Sequence, residues 1–238
     1  MVGESGSGKT MLCLSILRLI PPPGKIINGE IVWNRENILA YNNQEMRKIR
    51  GKEITMIFQN PQSSLNPVHS IGKQLMSVIK LHSGINGNDL KNEAFRLLDQ
   101  VQFRDAQSRF DDYPHQLSGG MAQRLMIAKA LACKPKMLLA DEPTSYLDVT
   151  IQDEIIRLLQ KIRKEHNVGI LFVSHDFGTV AKLCCDRIGV MYRGKIIETG
   201  SLEKIVHSPE HPYTKHLIAS VPMADERVYS LFQPQSGV

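Results

Sequence analysis

Late in the chain, apolar residues gather into three short unbroken runs: "MLLA" before Asp141, "GILFV" before Ser174 and "RIGVMY" before Arg193-Gly194. Runs without polar alternation predict strands covered on both faces, the habit of parallel sheets. Between them the apolar period lengthens to that of a helix. An earlier strand is predicted at about Glu53 to Phe58, closed by Asn60-Pro61, and a short one in "GEIVWN", followed by turn residues. "MLCLSILRLI" predicts a helix running up to the proline cluster at Pro21, since proline cannot continue it. From about Ile71 to Phe103 the pattern is helical. Leu90, Ala94, Leu97, Leu98 and Val101 recur at spacings of three and four, and "SGINGN" separates two helices. "VMYRGKIIETG" turns back at Arg193-Gly194 as an antiparallel hairpin. Strands alternating with helices predict an α/β fold with a mostly parallel sheet. A polar stretch after about Met223 predicts a loose tail.

Composition narrows this little. The 238 residues are 42% hydrophobic and 22% charged, ordinary for a globular protein with a large core. No apolar run reaches the roughly 18 residues of a membrane-spanning helix, and the first residues lack the basic-then-apolar pattern of a secretory signal. Cys13, Cys133, Cys184 and Cys185 have no C-x-x-C spacing and read as reduced thiols in or near the core. The net charge of +5 is scattered along the chain, so it reads as a solvated surface rather than a nucleic-acid arm.

Candidate chemistry begins with the first ten residues, "MVGESGSGKT". Gly3, Gly8, Lys9 and Thr10 fit G-x-x-x-x-G-K-[ST], a phosphate-binding loop. Such a loop, here Gly3, Glu4, Ser5, Gly6, Ser7, Gly8, Lys9 and Thr10, turns backbone N–H groups onto phosphate oxygens. Lys9 would neutralise the β/γ-phosphates and the Thr10 hydroxyl would ligate Mg²⁺. Only Met1 and Val2 precede the loop. That is too short for the strand that normally delivers it, so its N–H groups are expected to be poorly held, with open sheet edges beside them and the chain alone poorly soluble. In "MLLADEP" an apolar strand ends in two carboxylates at the sheet edge where open α/β folds bind ligands. Asp141 is the candidate Mg²⁺ ligand and Glu142 the candidate general base for an attacking water.

"LSGGMAQR" (Leu117 to Arg124) has a Ser N-cap and two glycines opening a helix, an exposed anion site. With this stretch the chain resembles the ATP-binding subunits of ABC transporters. Their signature is L-S-G-G-Q; Met121 stands at its fifth place, while Ser118, Gly119 and Gly120 are intact. The resemblance implies a P-loop NTPase core with an inserted α-helical subdomain, ATP and Mg²⁺ as ligands, and hydrolysis coupled to import. It implies that the signature acts on nucleotide bound to an opposing ATPase subunit. Gln59 matches the Q-loop, reaching Mg²⁺ and water, "SYLD" (Ser145 to Asp148) matches the D-loop with a bulky Tyr146, and His175 matches the switch histidine. "FQNPQSSLNP" and "HPYTKHLIASVP" are similar to the peptide/nickel importer group. That group implies a paralogous ATPase partner, two membrane-spanning permease subunits, an extracellular binding protein acting indirectly, no nucleic acid, and a place on the cytoplasmic face of the membrane. Cargo stays open between dipeptide, oligopeptide, nickel and metal chelates. The resemblance divides the chain into a first part of the ATPase core (1–66), a helical subdomain (67–115), the signature helix with the rest of the core (116–222) and a tail (223–238). It implies two or three strands before the P-loop, one carrying an aromatic that stacks on adenine; none stands before Gly3 here. Two other readings stay open: a truncated, catalytically impaired subunit, and a soluble ATPase of the same type not tied to transport. The histidines His207, His211 and His216 are irregularly spaced and are read as features of the group rather than as metal ligands.

Overall fold

The computed structural model describes residues 1–183 and 185–221. Cys184 and everything from Pro222 on, the expected tail included, lie outside the described residues. Along the chain the elements are α1 (Lys9–Ile16), β1 (Val32–Trp33), β2 (Glu36–Asn37), α2 (Asn43–Ile49), β3 (Ile54–Ile57), α3 (Pro61–Ser64), α4 (Ile71–Ser83), α5 (Asn88–Gln100), α6 (Ala106–Arg109), α7 (Gly119–Ala132), β4 (Met137–Asp141), α8 (Val149–His166), β5 (Gly169–Val173), α9 (Phe177–Lys182), β6 (Ile188–Tyr192), β7 (Lys195–Gly200), α10 (Leu202–His207) and α11 (Pro212–Ala219). They form two compact units, Met1–Cys13 with the chain from Phe172 on, and Leu14–Leu171.

In the Leu14–Leu171 unit, β3 and β4 pair in parallel, Ile54 opposite Met137 through Ile57 opposite Ala140, with β5 beside β4. All of β3 is buried, as a strand covered on both faces must be. The covering helix is α7, which is buried along most of its length and packs against β3, α3, α4 and α5. Of the predicted helical stripe, Ala94, Leu97, Leu98 and Val101 are buried and Leu90 is half-buried, and Gly84 in the left-handed conformation (φ 71°) ends α4 where "SGINGN" begins.

Two boundaries differ from the sequence expectation. α1 stops at Ile16, short of the prolines. Arg18 takes a left-handed conformation (φ 51°), and the N–H groups of Leu19 and Arg18 bond back to the carbonyls of Leu14 and Ser15. That is a Schellman end without its usual glycine; Arg50 holds it by donating to the carbonyls of Leu17 (2.7 Å) and Arg18 (3.0 Å). In "GEIVWN" only Val32–Trp33 is strand. It returns at once into β2 through Asn34 (φ 51°) and Arg35 (φ 71°), the paired left-handed residues of a tight hairpin turn.

In the other unit β6 and β7 form the predicted antiparallel hairpin. The poorly held P-loop is a correction. No strand is formed by Met1 and Val2, yet Val2 bridges Ser174 and Val190, both in parallel. The Met1 amino group donates to Phe172 O (2.7 Å) and Ser174 N–H to Met1 O (3.1 Å). Val2 N–H donates to Gly189 O (2.9 Å) and Met191 N–H to Val2 O (2.7 Å). Two residues therefore fill the slot between the end of β5 and β6, and Val2 is fully buried there. What local sequence lacks, main-chain partners from the far end of the chain supply.

The same unit buries a carboxylate. Glu198 of β7 is 7% exposed and accepts the N–H groups of Glu210 (2.8 Å) and His211 (3.1 Å) ahead of α11. Burial pushes its pKa up, but the Glu210 and His211 N–H groups and the nearby Lys204 charge outweigh it and hold the group below the ordinary carboxylate value. A folded-state pKa below the unfolded one means that the carboxylate stabilises the fold above the ordinary range, and that this contribution fades as pH falls through the lowered value. Glu198→Ala should cost about 1–3 kcal/mol, the penalty for orphaning buried donors. Urea melts at neutral pH and at about pH 3 check this: the gap between variant and unsubstituted chain should narrow in acid, and a gap that widens there would contradict the assignment.

Candidate functional site

The P-loop is built from the reasons its glycines exist. A Cβ on Gly3 would lie 2.1 Å from the main-chain oxygen of Met191, a collision of backbone with side chain that no rotamer relieves. Gly8 has φ 103°, open only to glycine at low cost. Lys9 starts α1 and is 5% exposed; its ammonium donates to Gly3 O (2.8 Å), Glu4 O (2.8 Å) and Ser7 Oγ (3.4 Å). A buried ammonium needs such acceptors, and here the loop's own carbonyls provide them. Gly194 N–H holds Ser7 O (2.9 Å), while Glu4 N–H donates to the Tyr213 hydroxyl (2.9 Å). Glu4, Ser5, Gly6 and Thr10 are exposed. His175, also exposed, follows Ser174 in this unit; next to it Asp176 caps α9 by accepting from Gly178 N–H (2.9 Å) and Thr179 N–H (3.2 Å).

The other unit carries the carboxylates. β4 ends at Asp141, 2% exposed, and Glu142 follows in a left-handed conformation (φ 45°). That turn brings one Glu142 oxygen, Oε2, under two donors: Gln59 Nε2 at 3.0 Å and Ser145 Oγ at 2.8 Å. The structure thus joins Gln59 and Glu142, which lie far apart in sequence. It adds Ser145, read from sequence only as the first residue of the D-loop match. The signal was its position three residues after Glu142, in a turn closed by Ser145 N–H to Glu142 O (3.1 Å).

The signature is a capped helix start, as its sequence predicts. Ser118 Oγ accepts from Met121 N–H (3.3 Å) at the head of α7. Its glycines do steric work as well. A Cβ on Gly120 would lie 2.8 Å from Ile151 Cγ2 and one on Gly119 3.1 Å from Leu147 Cδ2, so both let α7 approach the D-loop and α8. Arg124 is buried and bonded to Val101 O (2.8 Å) and Glu154 (2.6 Å), fixing the helix behind the signature. Tyr146 stands 82% exposed.

Three further sequence readings meet structure here. Cys13 is buried, and Cys13, Cys133 and Cys185 form no disulfide among the described residues; burial pushes the Cys133 pKa up to about 11. His211 Nδ1 accepts from Tyr213 N–H (3.1 Å), so that ring caps its own helix. No helix among the described residues is long and apolar enough to cross a membrane.

A parallel sheet covered by helices, a glycine loop around a buried lysine, and a strand ending in paired carboxylates define a P-loop NTPase of the α/β class. Residues 1–145 match the ABC transporter family, and the chain belongs to it. It is 47% identical over 228 residues to the glutathione import ATP-binding protein GsiA of Salmonella typhi, and 46% to that of Escherichia coli. Each alignment covers 93% of this chain and 36% of the relative, so the chain spans about a third of the length of these relatives. Among solved structures, the dimeric ATP-binding cassette MJ0796 bound to ADP and Pi matches with a TM-score of 0.72 at 28% identity, covering 84% of this chain and 83% of that one. The cbiO1 structure from Clostridium perfringens, part of the ABC transporter complex cbiONQ, matches with a TM-score of 0.73 at 26% identity, covering 87% and 78%. The fold is that of an ABC ATPase cassette.

Proposed function

We propose that this chain is the ATP-binding and ATP-hydrolysing subunit of an importer for peptides or metal chelates. The observation that carries the reading is Glu142, held at the end of β4 with Gln59 and Ser145 both donating to Oε2. Two donors on one oxygen hold the carboxylate at the strand end, where it would accept a proton from a water. The loop's amides and Lys9 would hold the phosphates.

The donor set suits Mg²⁺. Thr10, Asp141 and Gln59 offer oxygen, the ligand type a hard cation takes. One carboxylate is enough, because Mg²⁺ keeps waters and binds substrate phosphates rather than an all-protein cage. When bound, Mg²⁺ neutralises charge developing on the phosphates. His175 is assigned to the γ-phosphate through its match to the family's switch histidine.

Ser118, Gly119 and Gly120 are assigned to nucleotide held by an opposing ATPase subunit, a paralogue of this chain. Two permease subunits and, through them, an extracellular binding protein complete the machine, with this subunit on the cytoplasmic face of the membrane. The helical segment 67–115 is read as a subdomain of its own. The relatives named for glutathione import favour cargo of the peptide class. Copurification with permeases and ATP-dependent uptake of a small peptide into proteoliposomes test the transport reading; uptake indifferent to this subunit would remove it. Ser118→Arg should spare nucleotide binding, since the P-loop is untouched, and stop cooperative turnover with the partner. Full activity from a strict monomer carrying Ser118→Arg would rule out the paired arrangement.

A further inference from the structure

We propose that Tyr213 is a positioning residue for the P-loop, its hydroxyl fixing the Gly3–Glu4 peptide whose opposite face holds Lys9. The inference rests on the nucleotide-binding reading above. Glu4 N–H donates to Tyr213 Oη at 2.9 Å, across 209 residues of sequence. On the other side of that peptide unit, Gly3 O accepts from Lys9 Nζ at 2.8 Å. A trans peptide is planar, with N–H and C=O pointing opposite ways. One orientation of this plane therefore serves both bonds, and a turn of the plane that frees the N–H also withdraws the carbonyl from the ammonium.

Such turning is otherwise easy here. Gly3 and Gly6 flank the exposed stretch, and Gly6 already sits at φ 79°. Tyr213 opposes it because its own place is fixed. Its ring packs on Tyr192 with centroids 4.4 Å apart, and the Arg193 guanidinium lies 5.1 Å above Tyr192. Its helix, α11, is held at the start by buried Glu198 and by the His211 cap on Tyr213 N–H. Tyrosine has few torsions, so a ring packed in this way delivers a hydroxyl with little entropy left to lose. Burial raises the Tyr213 pKa, with the Glu4 amide opposing. The latch thus runs from β7 through α11 to the loop, and places part of the control of Lys9 in the "HPYTKH" stretch.

Tyr213→Phe keeps the ring and removes the hydroxyl. Water can replace the lost acceptor at this exposed bond, so the effect is moderate: about fivefold weaker binding of both ATP and ADP, the net worth of one neutral hydrogen bond. The KM for ATP should rise by that factor while kcat and the melting temperature stay put. Tyr192→Phe, which keeps the ring pair, should change neither. Hydrogen exchange at the Glu4 amide, measured without nucleotide, should be faster in Tyr213→Phe. Unchanged nucleotide affinity in Tyr213→Phe, or a lower melting temperature with affinity intact, overturns the proposal. If the unsubstituted chain binds no nucleotide, the ATPase reading falls by itself, and Glu4 exchange decides the latch: faster in the variant sustains it, unchanged overturns it.

Discussion

Glu142→Gln should lower ATP turnover by about 10²-fold or more while leaving nucleotide binding intact, the loss expected when a general base is removed from a fixed water. The replacement is isosteric. Its amide oxygen can still accept from Gln59 and Ser145, which now meet at 3.0 Å and 2.8 Å on one carboxylate oxygen, so the turn after β4 has no reason to move. Only the ability to take a proton disappears. The ATP-bound, paired state should therefore accumulate and outlive that of the unsubstituted chain. Phosphate release in the steady state, alongside nucleotide retained on a desalting column, reads both halves. Turnover equal to that of the unsubstituted chain would strip Glu142 of the role.

Lys9→Ala should lose nucleotide affinity, by about 10²-fold or more. Each charge-assisted hydrogen bond contributes about 1.5–3 kcal/mol, and an ammonium between two phosphates makes at least two. The substitution also orphans the carbonyls of Gly3 and Glu4, which Lys9 now holds at 2.8 Å each. The loop would relax before any nucleotide arrived, so ADP should suffer together with ATP. Lys9→Arg should rescue little, because a planar guanidinium does not fit a socket formed around a compact, buried ammonium. Titration of a fluorescent nucleotide gives both affinities; binding by Lys9→Ala within a small factor of the unsubstituted chain would contradict the placement.

Much of the architecture was legible because the strands that carry the chemistry are unbroken apolar runs ending in polar residues. β3 leads to Gln59, β4 to Asp141 and Glu142, and β5 to Ser174 and His175. Hydrophobic burial on both faces leaves such runs little choice, and the polar residues at their ends mark the sheet edge. The end of α1 was not legible. It depends on Arg18 accepting a left-handed turn, which is stabilised by Arg50 from elsewhere in the chain rather than by a glycine. The anchoring of Met1 and Val2 was hidden for the same reason, since its partners are main-chain groups of Phe172, Ser174, Gly189 and Met191, which carry no side-chain signature. Ser145 and Tyr213 were legible only as members of the "SYLD" and "HPYTKHLIASVP" stretches, because a hydroxyl shows its use only when its acceptor or donor is in view.

Binding and hydrolysis of Mg-ATP by this chain are read together from phosphate release by the unsubstituted protein, with ATP binding followed in the same sample. Saturable ATP binding with release that stops when EDTA removes the metal is the predicted result. A chain that binds no ATP, or one whose phosphate release continues unchanged in EDTA, would contradict it.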